Sequence, residues 1–278
     1  LIMNSVKLML LKSVWNAAFR NCIKTYCSFS HRKQINDELR IRLAAAYRGL
    51  DAYGMNEGIC NHLSAIAPST ETEEDIMLII PFGLHWKEVT PSSLIGINGK
   101  NKVIEGAGEP ELTALCIHRG IYDKRPDVKA IMHTHMPYAT ALTCLKDPKL
   151  HMIHQNSARF YNRVAYDVSY GGLGEQLEEG HRLGIVLGNK NVLFMGNHGV
   201  LVVADSIDIA FDNMYYLERA AMVQVLAAST NKELRELDEE TIIMTCQQIW
   251  SSLPKYATSH LNSIIRQLSI SCSDFKIK

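Results

Sequence analysis

The spacing of apolar residues along the chain predicts several amphipathic helices. Four segments have helical periodicity: residues 37–54, 111–124, 205–229 and 235–250. Gly54 is suited to end the first helix, and Pro126 ends the second because the residue before a proline disfavours helical geometry. Asp205 is the expected N-cap of the third. A further short helix is expected after Pro137.

Short apolar runs between turn residues predict the strands. The runs are "LSAIAPS", "DIMLIIPFG", "VKAIMHTH" and the two halves of "NVLFMGNHGVLVVA". The acidic stretch "TETEED" separates the first two runs, and "NGKN" has the composition of a hairpin turn. We therefore expect mixed α and β structure around one sheet, in a single domain over residues 36–260 that is followed by a short tail, 261–278.

Charge, cysteine count and the length of apolar runs exclude several classes of protein. The chain has 278 residues, 47% of them hydrophobic, and a formal net charge of zero, so no basic surface for nucleic acid or anionic membranes is expected. Its seven cysteines are an odd number and form no CxxC pair, which favours a reducing compartment over a disulfide framework. Since no run of 18 apolar residues occurs, we expect no membrane span.

The first 35 residues differ from the rest of the chain. They carry six lysines and arginines, and the first acidic residue is Asp37. A basic, amphipathic, serine-containing segment is typical of a mitochondrial presequence, although a basic helix packed on the domain has the same composition. We therefore interpret residues 1–35 as a possible leader, with the mitochondrial matrix as the expected location and the cytoplasm as the alternative.

Two histidines within "AIMHTHMPYATAL" are candidate metal ligands. Side chains two apart in a strand point to the same face, so His133 and His135 can reach one ion. An isolated pair of this kind also occurs in ordinary cores, and a catalytic zinc ion takes three protein ligands. His198, between Gly196 and Gly199 at the end of another apolar run, is the expected third ligand.

The motifs together resemble a known family. "RPDVKAIMHTHMPYATAL", "MGNHGVLVV" and "DIAFDNMYYLERAAMVQVLA" occur in the order found in class II aldolase/adducin N-terminal domain proteins, and in particular in the adducin-like branch. The similarity covers about residues 36–230. It implies a three-layer α/β/α fold with a central, mainly antiparallel sheet, and a homotetramer. It also implies a divalent ion, usually zinc with Fe²⁺ or Mn²⁺ as alternatives, that is held by His133, His135 and His198.

The sequence departs from the family at the catalytic glutamate. That position falls on Ala114, which cannot take a proton. Glu109 and Glu111 lie just before it and are candidate substitutes, and Tyr161 is a candidate catalytic acid.

The hydroxyl groups that bind phosphate in the family are also depleted. The family's Gly-Asn-x-Ser pattern is Asn61, His62, Leu63 and Ser64 here. Leu112 and Thr113 replace paired serines, and Phe82 replaces the serine of a "PSG" turn. Phosphate needs several convergent donors, so a small unphosphorylated oxo- or hydroxy-substrate is the better expectation.

Three functions follow from these features. The first is a metal-dependent lyase, epimerase or decarboxylase that acts next to a carbonyl group. The second is a non-catalytic module, similar to the adducin head, that oligomerises and binds the cytoskeleton. The third is a non-haem iron oxygenase on the same scaffold, because three histidines also hold ferrous iron.

Overall fold

A computed structural model describes residues 29–272 and residue 275 of the chain. Helix α1 covers residues 29–52. The other helices are α2 (Leu112–Lys124), α3 (Pro137–Thr143), α4 (Gln155–Ala158), α5 (Leu177–Leu187), α6 (Ile207–Ala228) and α7 (Glu239–Ser271). The strands are β1 (His62–Pro68), β2 (Asp75–Ile79), β3 (Ile95–Ile97), β4 (Val103–Glu105), β5 (Ala130–Thr134), β6 (Val164–Asp167), β7 (Val192–Met195) and β8 (Gly199–Ala204).

The strands form one sheet in the order β4-β3-β2-β1-β5-β8-β7-β6. Six of its seven neighbouring pairs are antiparallel, and only β6 and β7 run parallel. The central strands β5 and β8 are buried at every position, as expected for strands covered on both faces. The predicted α/β fold with a mainly antiparallel central sheet is confirmed.

Helices cover both faces of this sheet. On one face, Ser64 of β1 lies within hydrogen-bond distance of His118 and Tyr122 in α2. On the opposite face, Thr134 of β5 donates a hydrogen bond to the sulfur atom of Met214 in α6. Since side chains alternate between faces along a strand, these contacts place α2 and α6 in separate layers.

A close approach of two glycines joins α2 to α5. A Cβ atom on Gly120 would lie 2.3 Å from the carbonyl carbon of Gly180, and one on Gly180 would lie 2.1 Å from the carbonyl oxygen of Cys116. No side chain fits into such a contact, so the two helices pack backbone against backbone. This contact fixes α5 beside α2, and α5 also packs against β6 and β7.

Most of the predicted elements agree with the structure, and several ends differ. Gly54 follows α1 with a φ angle of +68°, which confirms its role at the helix end. The predicted N-cap Asp205 was wrong, because Ser206 has the extended backbone of an N-cap and its hydroxyl accepts a hydrogen bond from the Ile209 N–H group. β6, α4 and α5 were not predicted.

Helix α7 is longer than the 235–250 that we predicted. It begins after Asp238, whose carboxylate caps it, and continues through Pro254. Leu253, Ala257 and Leu261 are buried, and this helical spacing holds the second half of α7 on the domain. The helix thus extends past residue 260, where we placed the domain boundary.

The predicted leader lies mostly on residues 1–28, outside the described residues. Its last residues, 29–35, belong to α1, where Arg32 donates a hydrogen bond to the Glu74 carbonyl group. Within residues 29–272, none of the helices is both long and apolar enough to cross a membrane.

A buried tyrosine hydroxyl joins α1 to the sheet beside β1 and β2. Tyr47 donates to the Leu63 carbonyl at 2.5 Å and accepts from the Leu63 N–H group at 2.8 Å. The ring is fully buried and packs edge-on against Trp86, with ring centroids 5.0 Å apart. These bonds satisfy the backbone of Leu63, directly after His62.

Replacing Tyr47 with phenylalanine should therefore destabilise the protein. The change leaves a buried N–H group and a buried carbonyl without this partner, at an expected cost of about 1–3 kcal/mol in the free energy of unfolding. Urea denaturation measures this difference. Tyr256→Phe is the matched control, since Tyr256 is 65% exposed. Equal stability of both variants would contradict the role given to the Tyr47 hydroxyl.

Candidate metal centre

The end of β5 supplies two of the predicted ligands. His133 pairs with Leu201 across β5 and β8, and its ring is buried. His135 follows the last residue of the strand, and its backbone N–H group donates to the side-chain oxygen of Asn61 at 3.1 Å. Pro137 begins α3 immediately afterwards, so the chain turns away while both rings stay at this edge.

The tight turn between β7 and β8 supplies the third ligand. Asn197 has a left-handed backbone with φ of +55°, and the His198 N–H group bonds back to the Met195 carbonyl at 3.1 Å. Gly199 allows the turn to approach β5 closely, because a Cβ atom there would lie 2.6 Å from Cδ2 of His135. The sequence pattern Asn-His-Gly thus places the ring of His198 against the end of β5.

The three rings converge on one point. Their centroids are 5.0 Å apart for His133 and His135, 4.8 Å for His133 and His198, and 4.9 Å for His135 and His198. One nitrogen atom of each ring lies within 4.8 Å of the other two. No carboxylate or thiol of the described residues joins this group at that distance.

The hydrogen bonds of two rings determine which nitrogen is available. Nδ1 of His133 donates to the Val200 carbonyl at 3.0 Å, and Nδ1 of His135 donates to the carboxylate of Glu57. Both Nε2 atoms therefore carry lone pairs, and they lie only 3.1 Å apart. While both rings are neutral, two lone pairs at this distance repel each other, and either a shared proton or a metal ion between them removes the repulsion.

This donor set suits a divalent ion. A tetrahedral zinc centre with Zn–N bonds of roughly 2.0–2.1 Å has ligand atoms about 3.3–3.4 Å apart, close to the separation of the two Nε2 atoms. Carboxylate and backbone acceptors on Nδ1 are the usual outer partners of metal-binding histidines. Three imidazole ligands leave a coordination position open for a substrate.

Burial favours the neutral form of two of these imidazoles, His133 and His198. It lowers the pKa of His133 well below its ordinary value, with a further contribution from His62. Burial, followed by the neighbouring His135, lowers the pKa of His198 to about 4. Neutral imidazole is the form that binds a metal ion, so the site is ready for one at neutral pH.

Two groups beside the centre were not recognised in the sequence. Glu57 lies in the loop after α1, 78 residues before its partner His135. His62 of β1 lies directly opposite His133, with ring centroids 4.9 Å apart, and binds His118 at 2.8 Å. The register of β1 against β5 is what places His62 beside His133.

The other predicted site residues lie apart from the three histidines. Glu111 caps α2, where its carboxylate accepts from the Ala114 N–H group at 2.8 Å, and Glu109 is exposed in the preceding loop. Tyr161 donates to Glu239 at 2.9 Å on the surface, next to the start of α7. None of these contacts involves the three histidines, and the catalytic roles of Glu109, Glu111 and Tyr161 stay predictions.

The positions that correspond to the family's phosphate donors are occupied differently here. Ser64 has its hydroxyl group within 2.5 Å of His118 and 2.9 Å of Tyr122, in the interior. The hydroxyl of Thr113 donates to Glu111, and Leu112 is 51% exposed. Phe82 is 63% exposed. None of these hydroxyl groups is free to bind a phosphate.

Comparison with known proteins agrees with this geometry. The family described as Class II Aldolase and Adducin N-terminal domain matches residues 41–225, a span that contains all three histidines. The chain belongs to this family. A putative aldolase class 2 protein of Pseudomonas aeruginosa is 35% identical over 198 residues, which cover 71% of this chain and 74% of that protein.

An adducin and a solved aldolase structure are also similar to this chain. Human beta-adducin is 32% identical over 198 residues, 69% of this chain and 26% of that protein. The chain therefore matches about a quarter of beta-adducin. The solved structure of L-fuculose 1-phosphate aldolase from Glaciozyma antarctica has a TM-score of 0.75 and 27% identity, and the match covers 87% of this chain and 92% of that one.

Removing the Glu57 carboxylate should weaken metal binding. Glu57→Ala frees the ring of His135 to rotate and lowers the basicity of its Nε2 atom, so the affinity for Zn²⁺ should fall about 10- to 100-fold. Competition with a chromogenic chelator measures the affinity. Glu73→Ala, which alters an exposed carboxylate on another loop, is the control. Unchanged affinity of the Glu57 variant would show that this contact does not orient the ligand.

Gly199→Ala should damage the centre and the fold together. The new methyl group would lie 2.6 Å from His135 and 2.7 Å from the backbone oxygen of Thr134, which cannot move aside. We expect a loss of about 1–3 kcal/mol in the free energy of unfolding of the metal-free protein, measured by urea denaturation. Gly99→Ala is the control, because a Cβ atom on Gly99 would point into open space with no contact within 4 Å. Wild-type stability of the Gly199 variant would contradict the close approach of this turn.

Proposed function

We propose that this protein is a divalent-metal-dependent enzyme with lyase, epimerase or decarboxylase chemistry next to a carbonyl group. The observation that supports this proposal is the pair of Nε2 lone pairs, 3.1 Å apart on His133 and His135, with the ring of His198 facing both. A divalent ion between the three rings would satisfy both Nε2 atoms at once.

The metal that these residues would hold is zinc, with Fe²⁺ and Mn²⁺ as alternatives. When bound, a divalent ion supplies Lewis-acid chemistry that polarises a carbonyl or enediolate oxygen. The protein's own contribution is to fix the ligands. The Val200 carbonyl and the Glu57 carboxylate hold the protons on the outer Nδ1 atoms of His133 and His135, so that both Nε2 atoms face the site.

The substrate that fits this site is a small unphosphorylated oxo- or hydroxy-compound. A phosphate group needs several free donors, and the hydroxyl groups of Ser64 and Thr113 are already bonded to other side chains. Phe82 adds an exposed aromatic ring instead of a hydroxyl group at the third of these positions. The L-fuculose 1-phosphate aldolase that shares this fold acts on a phosphorylated sugar, so we expect the two proteins to differ in substrate.

A non-catalytic role similar to that of the adducin head is the second candidate. It is favoured by Ala114, a buried methyl group at the family's glutamate position, and by the similarity to beta-adducin. In that case the three histidines would hold an ion that stabilises the fold without turnover.

One variant tests the metal-dependent function. His135→Ala removes one of three ligands, so Zn²⁺ affinity should fall by more than the roughly 100-fold that the loss of an outer partner causes. His181→Ala changes a surface histidine paired with Asp123 and serves as the control. Metal content of chelator-free protein, together with turnover of a panel of oxo-acids, hydroxy-acids and sugar phosphates, gives the readout.

The outcomes separate the two candidates. Wild-type protein with about one ion per chain and turnover that His135→Ala abolishes supports the enzyme. Full occupancy without turnover of any compound supports the non-catalytic module. Wild-type protein that binds less than about a tenth of an ion per chain contradicts both metal-dependent roles.

A further inference from the structure

The buried carboxylate of Glu218 holds the first turn of α3. Its two oxygen atoms accept hydrogen bonds from the backbone N–H groups of Tyr138 and Ala139, each at 2.8 Å. Glu218 lies within α6, 80 residues after Tyr138, and is 5% exposed. Hydrogen bonds to a charged acceptor are roughly twice as strong as those between neutral groups, so this contact ties α3 firmly to α6.

The first turn of α3 depends on Glu218 for its hydrogen bonds. Pro137, the first residue of the helix, has no N–H group, and the N-cap residue Met136 makes no side-chain cap bond. The N–H group of Thr140 bonds to the Met136 carbonyl at 3.0 Å, as in a regular helix. The N–H groups between them have no partner within the helix, and the two oxygens of Glu218 satisfy both.

His135 lies directly before this turn and outside the sheet. It follows the last residue of β5, so strand pairing does not fix its backbone. Its N–H group bonds to Asn61 at 3.1 Å, and only the fully buried Met136 separates it from Pro137, where α3 begins. The backbone of His135 is therefore held on one side by Asn61 and on the other by the start of α3.

A carboxylate is the group that suits this position. Glutamine has the same shape as glutamate, but its amide has one acceptor oxygen and one NH₂ group. In a Glu218→Gln variant, one N–H group of α3 would face another donor, so the first turn would move or lose a bond. The groups of a functional site must be held within about 0.5 Å of their working positions, so such a movement is large enough to misplace the ring of His135.

We propose that Glu218 is a positioning residue of the metal centre, which sets the place of the His135 ring by holding the first turn of α3. This inference rests on the proposed function, because it concerns the ion that the three histidines would hold. Glu218 bonds to none of the three rings, and its effect passes through the backbone of α3.

Metal affinity of the glutamine variant tests this role. Glu218→Gln should weaken Zn²⁺ binding about tenfold, the lower end of the range for groups that orient a ligand, as measured by competition with a chromogenic chelator. Asp238→Asn is the matched control, because it makes the same change from carboxylate to amide at the first turn of α7, where Asp238 accepts from the Thr241 N–H group. It should bind Zn²⁺ as the wild type does.

A second control separates positioning from general stability. Ser206→Ala removes the side-chain cap at the start of α6, the helix that carries Glu218, and should lower the urea midpoint of unfolding. Its Zn²⁺ affinity should stay within about threefold of the wild type, because the contact with α3 is retained.

Amide hydrogen exchange of the unaltered protein tests the same coupling even if Glu218→Gln does not fold. Since coupling between two sites is reciprocal, bound Zn²⁺ should strengthen the hold of Glu218 on α3. Zn²⁺ should therefore slow exchange of the Tyr138 and Ala139 N–H groups at least about fivefold more than exchange of the Thr241 N–H group, which another carboxylate caps.

The outcomes distinguish this inference from the proposed function. Wild-type Zn²⁺ affinity in Glu218→Gln, or equal slowing of all three N–H groups, would overturn the role of Glu218 and leave the metal-dependent function intact. A similar loss of affinity in Ser206→Ala would also overturn that role, because general instability would then explain the loss. Failure of the wild-type protein to bind Zn²⁺, Fe²⁺ or Mn²⁺ would contradict the proposed function and this inference together.

Discussion

The proposed metal centre depends on the short distance between the Nε2 atoms of His133 and His135. The Nδ1 atoms of His133 and His135 donate outward to the Val200 carbonyl and the Glu57 carboxylate, so the Nε2 lone pairs face each other at 3.1 Å. Burial lowers the pKa of His133 well below its ordinary value, so protonation of that ring is a costly way to relieve the repulsion. A divalent cation relieves it while the rings stay neutral, which is why the geometry favours a metal centre.

The order of strands in the sheet brings the histidines and their hydrogen-bond partners together. β5 has β1 on one side and β8 on the other, so His62 and the Val200 carbonyl both lie next to the β5 histidines. The turn between β7 and β8 then brings His198 to the same edge, and Gly199 leaves room for the ring of His135. β5 and the turn between β7 and β8 therefore supply the ligands, β8 and the loop after α1 supply the outer partners Val200 and Glu57, and α2 contacts His62 through His118.

The sequence predicted the parts of this site that depend on local patterns. Strand alternation placed His133 and His135 together, and the glycines around His198 predicted a tight turn. Contacts between distant segments could not be predicted in this way. Glu57 lies in a loop with no periodic pattern, and His62 becomes meaningful only through the register of β1 against β5. Likewise, α7 continues through Pro254 because buried apolar residues on both sides stabilise it, although proline normally disfavours a helix interior.

Anomalous X-ray scattering at the zinc absorption edge, from crystals of protein purified without chelators, tests whether His133, His135 and His198 bind a metal ion. We predict one peak per chain, bonded to Nε2 of His133, Nε2 of His135 and the ring of His198 at about 2.0–2.1 Å. Data collected at the iron and manganese edges would identify either alternative ion at the same position. The proposed metal centre would be contradicted if no anomalous peak appeared between these rings at any of the three edges. It would also be contradicted by a metal bonded through Nδ1 of His133 or His135.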